Sequence, residues 1–445
     1  MSQNSLENLL SKVIACHGIC IDSRKWQEGE CFFALTSSKV SGNTFAADLL
    51  AKGAPLVVVD DTSMAASVDE RVVLVPNVLK ALQDISHLYR QRFDIPVFAI
   101  TGSNGKTSTK ELLMQVMSKR FKTHCTKGNL NNHIGVPLTL LAMPLDTDFA
   151  IIEMGANAVG DIWELCSIAS PNYGLITNVG KAHLEGFGSF EGVIKAKSEL
   201  YRYLNQNDGT VFVNKDEPNL KENLPEGIKV TFYHNDEILA PHSKDLKLVT
   251  EHPSIHYEFR DAELKCSGTS PLFGKYNFRN IEAAFSVGRY FDVETAKIKE
   301  AIQTYRPDNN RSQILQVDKL TLVLDAYNAN PSSMALSIES FAQREGQKML
   351  ILGEMMELGE DSSLEHELIV HRLMKDQWQW VIFIGQGFAK VPLQNSWFYL
   401  ERTADALDLL SKLRPLEGTL LLKGSRSVGL EALIPFLTGR NDALR

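Results

Sequence analysis

The stretch Val97–Phe98–Ala99–Ile100–Thr101–Gly102–Ser103–Asn104–Gly105–Lys106–Thr107–Ser108 decides the fold. Residues 97–101 are an apolar run bounded by a turn and read as a buried strand, and helical spacing runs from Lys106 to Phe121. The glycine-rich turn between them leads into a helix N-terminus. There, backbone N–H groups, the helix dipole and a lysine hold a triphosphate, and a threonine hydroxyl reaches Mg²⁺. The spacing is G-x-x-G-K-T; the more familiar G-x-x-x-x-G-K-T would need glycine at Ile100. Strand, loop and helix together mark a nucleotide site, with Gly102, Ser103, Asn104, Gly105, Lys106, Thr107 and Ser108 as its cradle. Kinases, GTPases and ligases share such a cradle, so the loop alone does not name a reaction.

Outward from the loop, strands alternate with helices. Phe149–Glu153, Tyr173–Val179 and Thr210–Asn214 read as strands, and Phe190–Leu204 as one helix. This alternation predicts βαβ units, a parallel sheet, and ligands at the carboxyl ends of its strands. Glu153 ends its strand at that edge, where a hard carboxylate oxygen suits Mg²⁺. Asn178 and His183 follow the next strand and fall at the same edge. Residues 230–270 predict a small antiparallel appendage, 278–291 and 295–305 are helical, and 306–310 is a linker. A third block has strands at 320–325, 348–353, 380–385 and 419–423. Upstream, Cys31–Leu35 and Pro55–Asp60 read as strands and residues 78–92 as a helix. The expected class is α/β in three domains. Residues 1–93 form a small mixed α/β domain, 94–306 a central P-loop ATPase domain with a parallel sheet, and 307–445 a Rossmann-like α/β domain.

Composition agrees. At about 150 residues per domain, 445 residues make roughly three. With 46 basic and 54 acidic residues the net charge is −8, which gives no reason to expect nucleic acid or an anionic membrane as a partner. The first twenty residues lack a basic segment followed by an apolar one, and no apolar run is long enough to span a bilayer. Six cysteines without a C-x-x-C pair speak against zinc and against a disulfide framework. The expectation is a soluble, cytoplasmic, monomeric protein with no membrane insertion.

These segments, in this order, resemble the Mur ligase family, ATP-dependent amide-forming ligases that build the peptidoglycan stem peptide. The loop 101–107, Glu153–Met154–Gly155, the segment 178–191 and Lys197 carry the resemblance. So do Gly274–Ala284, Asp325–Ser333 and Lys423–Arg426. Two departures stand out: Tyr276 replaces the family's usual His, and Ser41–Gly42–Asn43–Thr44–Phe45 replaces its D-G-H-D-F. The segments 128–137, 153–157, 325–334 and 352–362 resemble the family member that joins D-alanyl-D-alanine to UDP-N-acetylmuramoyl-tripeptide through an acyl phosphate. The D-N-P-R tetrapeptide of the sister enzyme that adds a single amino acid is missing. Folylpolyglutamate synthetase, similar in its ATP domain, is not expected to have a front domain carrying Asp22–Ser23–Arg24. From another class, a non-catalytic P-loop switch is the alternative, though it needs none of the polar clusters beyond the loop.

The resemblance implies ATP, two Mg²⁺ sites and four catalytic residues: Lys106, Glu153, His183 and Lys197. Lys106 would pair the β/γ-phosphates, Thr107 and Glu153 would hold one metal, and His183 with a carbamylated Lys197 the other. Asn280 would contact adenine, Asp325 the ribose and Arg311 the γ-phosphate. Ser23 and Arg24 would hold the uridine nucleotide, and Asn129, Asn131, Asn132, Asn328 and Asn330 other parts of the substrates. Without the resemblance, Lys197 reads as a solvated helix-surface lysine, and His133, His366 and the cysteines as structural.

Overall fold

The computed structural model describes all residues except 64–68, 183, 234–245, 253, 262–263, 415–416 and 440–445. Among the described residues, four sheets organise it. The first has four parallel strands, Gly18–Cys20, Glu30–Phe33, Val57–Val59 and Val72–Leu74, paired in chain order. The second has six parallel strands in the order Lys229–Tyr233, Thr210–Asn214, Tyr173–Ile176, Val97–Thr101, Phe149–Glu153, Thr123–Cys125.

Every residue of Val97–Thr101 and Phe149–Glu153 is buried. A parallel sheet is covered on both faces, which is why these strands read as unbroken apolar runs. Val97 and Ala99 face a core shared with Leu82 and Ile85 of the helix Val78–Arg90. Phe98 and Ile100 face the opposite core, with Ile281 and Phe285 of the helix Lys275–Tyr290. The strand's two-residue period thus joins the first block to one side of the central sheet and the later helices to the other.

The third sheet is antiparallel, Leu246–Thr250, Ile255–Asp261 and Leu264–Ser270. The fourth runs Gln313–Val317, Lys319–Asp325, Glu417–Lys423, Lys348–Gly353, Trp380–Ile384, Trp397–Leu400, with only its first strand antiparallel. Among the described residues, no helix is long and apolar enough to cross a membrane.

Local expectations fail where tertiary pairing decides. Lys229–Tyr233 is a parallel edge strand of the central sheet and not part of the antiparallel appendage, whose described strands lie within 246–270; residues 234–245 of the expected appendage lie outside the described residues. The helix expected over 190–204 is two, Phe190–Lys197 and Glu199–Gln206, meeting at Ser198. Gln313–Val317 precedes the strand expected to open the last block, and the edge strand Trp397–Leu400 is additional. Edge strands are short and half-covered, so they lack the continuous apolar signature of central ones.

A candidate nucleotide and ligation site at the switch point of the central sheet

The chain leaves Val97–Thr101 toward one side of the sheet for Thr123–Cys125 and Phe149–Glu153, then returns to the other side for Tyr173–Ile176. Strand order therefore reverses at Val97–Thr101, and the crevice outside its carboxyl end is where a doubly wound sheet binds ligands. The loops after residues 101, 153 and 176 meet there and line a cleft of about 430 Å³.

Two glycines shape the phosphate loop. Gly102 has φ +143° and Gly105 φ +78°, and a Cβ added to them would come within 2.0 Å of Thr177 Oγ1 and 2.6 Å of Asn280 Oδ1. Asn178 locks the loop, its Oδ1 accepting from the Asn104 N–H at 3.0 Å while its Nδ2 donates to the Asn104 carbonyl at 3.0 Å. Ser103 Oγ donates to the Gly180 carbonyl and accepts from the Gly180 N–H. The helix Lys106–Met117 begins with no side-chain cap, leaving its first-turn N–H groups for an anion. Lys106 folds over the loop, donating to the carbonyls of Gly102 at 2.7 Å and Ser103 at 3.3 Å. Burial lowers its ammonium to a pKa of about 8; Glu153 opposes that shift and Arg311 adds to it. Ser108 lines the cleft in the same turn.

Glu153 is 1% exposed. Its Oε1 accepts from Thr107 Oγ1 at 3.2 Å and from Asn131 Nδ2 at 2.8 Å, while Oε2 has no hydrogen-bond partner. Lys110, one turn beyond Lys106, puts its Nζ 3.4 Å from that oxygen. The sequence reading missed Lys110; the available signal was a second lysine four residues after the first, on the same helix face.

Another wall of the cleft is built by the helix Lys275–Tyr290 and the last block. Asn280 is buried, its Oδ1 accepting from Thr109 Oγ1 at 3.1 Å and its Nδ2 donating to Asn277 Oδ1 at 2.9 Å. Asp325 lies directly opposite Lys423 on paired parallel strands, and the two form an ion pair at 2.6 Å. Asp325 Oδ1 accepts from the Ser312 N–H, and Ser312 Oγ lies 3.0 Å from the Tyr276 hydroxyl. The residue that departs from the family pattern thus braces the same corner. Burial, and then the Asp325 charge, push the Tyr276 hydroxyl well above its ordinary range. Arg311 stacks 3.6 Å over the Tyr327 ring, and its buried Nε has no hydrogen-bond partner.

Lys197 corrects its plain reading, for it is 2% exposed and not on the helix surface. Its Nζ lies 5.2 Å from the centre of the Phe187 ring. Burial pushes its pKa well below the ordinary lysine value, nearby Lys106 adds to this, and Asp161 and Glu199 pull the other way. Both carboxylates are occupied by backbone N–H groups, those of Asn157 and Ala158 for Asp161 and of Gly160 and Trp163 for Glu199. His183 lies outside the described residues.

The asparagines divide. Asn129, Asn131 and Asn132 line the cleft, but Asn132 Oδ1 is spent on the N–H groups of Ile134 and Gly135, leaving only its amide NH₂. Asn328 is exposed at the cleft, whereas Asn330 caps the helix Pro331–Ala342 and donates to Asn104 Oδ1 at 2.8 Å, tying the last block to the phosphate loop. Lys181 Nζ and Glu365 Oε1, 2.8 Å apart, make a second tie. His133, read as structural, lines the cleft. His366 is structural: its Nε2 accepts from the Met355 N–H and its Nδ1 faces the Ser362 carbonyl. Ser23 and Arg24 stand apart on the first block, and Arg24 forms an exposed ion pair with Asp22 at 2.8 Å. Asn43, at the family's His position, instead bonds Asp60 through both ends of its amide.

Known proteins resemble this chain along most of its length. Residues 15–90 match the model of the Mur ligase family catalytic domain, 100–288 that of the Mur ligase middle domain, and 310–426 that of the Mur ligase glutamate ligase domain. The UDP-N-acetylmuramoyl-tripeptide–D-alanyl-D-alanine ligase of Bacillus subtilis is 31% identical, over 98% of this chain and 96% of that protein. The crystal structure of MurF from Acinetobacter baumannii superposes with a TM-score of 0.82 at 27% identity, over 95% of this chain and 93% of that one. MurF ligase from Thermotoga maritima, solved with ADP, shares the fold with a TM-score of 0.84 at 24% identity, over 96% and 98% of the two chains.

Proposed function

This chain belongs to the Mur ligase family, and we propose that its cleft carries out the reaction named for its B. subtilis relative. It is an ATP-dependent ligase that adds D-alanyl-D-alanine to UDP-N-acetylmuramoyl-tripeptide, giving the UDP-muramoyl-pentapeptide precursor of peptidoglycan. The observation that carries the site is the meeting of Lys106, Glu153 and Asn280 with Arg311 and Asp325 of the last block around one cleft. One chain supplies all of these groups, which supports a monomer, and dependence on ATP supports a cytoplasmic reaction.

A carboxylate oxygen is a poor leaving group, so amide formation starts by transferring the γ-phosphoryl group of ATP to the tripeptide carboxylate. The dipeptide amine then attacks the acyl phosphate, and inorganic phosphate leaves. The protein's task is positioning and charge neutralisation. Lys106 pairs the β/γ-phosphates, the first-turn N–H groups hold their oxygens, and Arg311, with an unpaired Nε, reaches the γ-phosphate. Asn280 meets adenine, and Asp325, held by Lys423, meets the ribose. Ser23 and Arg24 receive the uridine nucleotide. Asn129, Asn131, Asn132 and Asn328 face the remaining substrate groups, and Asn330 keeps the last block closed over the loop so that water is excluded.

The residues fit Mg²⁺. Glu153 Oε2 is a buried carboxylate oxygen without a hydrogen-bond partner, and Oε1 of the same carboxylate accepts from the Thr107 hydroxyl. Among the described residues no group of three or more His, Cys, Asp or Glu gathers, which suits an ion that keeps waters and phosphate oxygens as its other ligands. Thr107 and Glu153 would hold one ion, and His183 with Lys197 a second; when bound, Mg²⁺ offsets the charge of the phosphates and the acyl oxygen. Addition of CO₂ to an amine needs the neutral form, and burial favours that form at Lys197. The resulting carbamate is an anionic oxygen donor, which an ammonium is not.

The test is incubation with ATP, the tripeptide nucleotide and a panel of amines, read by phosphate release and product mass. D-Ala-D-Ala should give the pentapeptide. Preference for a single amino acid would assign a sister activity, and phosphate release without any amide would point to a switch.

A further inference from the structure

Lys110 has no part in the chemistry above, yet its ammonium is buried against Glu153, which lines the cleft. It is 1% exposed. Its Nζ lies 3.4 Å from Glu153 Oε2 and donates to the Gly128 carbonyl at 3.2 Å. Gly128 begins the loop that carries Asn131, and Asn131 donates to the other carboxylate oxygen of Glu153. The helix of the phosphate loop, the carboxylate and the asparagine loop are therefore joined at one buried cation. Lys106 feels the Glu153 charge from further off, its Nζ being turned to the carbonyls of its own loop.

A carboxylate this deep with no counter-charge is costly, and it would also repel incoming phosphates until a metal ion neutralised it. We propose that Lys110 is a built-in counter-cation for Glu153, a positioning residue that lets the nucleotide bind before any metal ion does. Bound Mg²⁺ supplies the same neutralisation, so Lys110 matters most in its absence. This inference rests on the reading of the cleft as a nucleotide site.

Calorimetric titration of ADP into the full chain, once in EDTA and once in excess Mg²⁺, tests it. In EDTA, Lys110→Met should weaken ADP binding by about tenfold or more, the scale of one charge-assisted contact. In Mg²⁺ the loss should stay below about threefold, because the ion now faces the carboxylate. Lys110→Met with Glu153→Gln, which leaves neither charge, should return binding in EDTA to within about threefold of the parent. Removing both members of a buried pair is tolerated better than removing one, so the double variant answers the question even where the single one does not fold. Equal losses in EDTA and Mg²⁺, or a double variant that binds no better than the single one or remains far below the parent, overturn the proposal and leave Lys110 structural. A parent chain that binds no ADP even with Mg²⁺ overturns the nucleotide reading, and this inference with it.

Discussion

Two regions of this molecule use the same pairing of a basic side chain with a carboxylate. Asp22–Arg24 on the first block closes at 2.8 Å, with the arginine side chain 85% exposed. Asp325–Lys423 in the last block closes at 2.6 Å, with the lysine 2% exposed. The distances barely differ; the surroundings do. Near water the pair is screened and local, formed between residues two apart in sequence, although it holds the Asp22 carboxyl down to about 2. Inside, two strands and a separation of 98 residues are needed to bring the partners together, and neither charge can be left alone. The first arrangement leaves Arg24 free to exchange partners, as the proposed uridine-nucleotide contact requires, and the second fixes a corner of the cleft.

The strongest test of what burial does concerns Lys197, a buried amine whose nearby carboxylates are engaged by backbone. Lys197→Ala should cut ligation on the order of a thousandfold or more, the scale of losing a group that fixes charge in the transition state. Binding of the UDP-tripeptide, measured by calorimetry, should stay close to the parent's. Turnover at the parent rate would return this lysine to the class of inert buried groups.

Breaking the interior pair comes next. Lys423→Met should cost roughly 3 kcal/mol in urea unfolding, since it strands the Asp325 charge. Adding Asp325→Asn should recover most of that loss. A single variant as stable as the parent would make the interior pair no different from the surface one.

A third outcome follows from Lys106, whose pKa is lowered to about 8 by burial. Bound phosphate raises that pKa, so binding takes up a proton when the free lysine is neutral. ADP affinity should be flat below pH 8 and fall above it, by at most about tenfold per pH unit. Affinity unchanged between pH 7 and 9.5 would show that the lysine stays charged despite its burial.

The smallest effect belongs to the surface pair. Arg24→Ala should leave the melting temperature unchanged while raising KM for the UDP-tripeptide roughly tenfold, as expected for loss of one charge-assisted phosphate contact. A drop in melting temperature with unchanged KM would reverse the contrast between the two regions.

Sequence by itself determined whatever local spacing encodes. The bounds of Val97–Thr101, Phe149–Glu153 and Thr210–Asn214 were legible, because central parallel strands carry continuous apolar runs. The loop 102–107 was legible because only certain residues make that turn beside a helix start. Of the cleft-lining residues, Ser103–Ser108, Glu153, Asn280, Arg311 and Asp325 were legible through ordered motifs, whereas His133, Asp161 and Glu164 were not. Tertiary structure alone decided the rest. Lys110 and Lys197 share the residue type of any solvated lysine, and only packing removed their water. Asn330 meets Asn104 across 226 residues, a contact no periodicity encodes. Lys229–Tyr233 joined the central sheet because an open strand edge was there to accept it. Charge, hydrogen-bond partner and edge position are properties of a surrounding, and the surrounding exists only once the chain has folded.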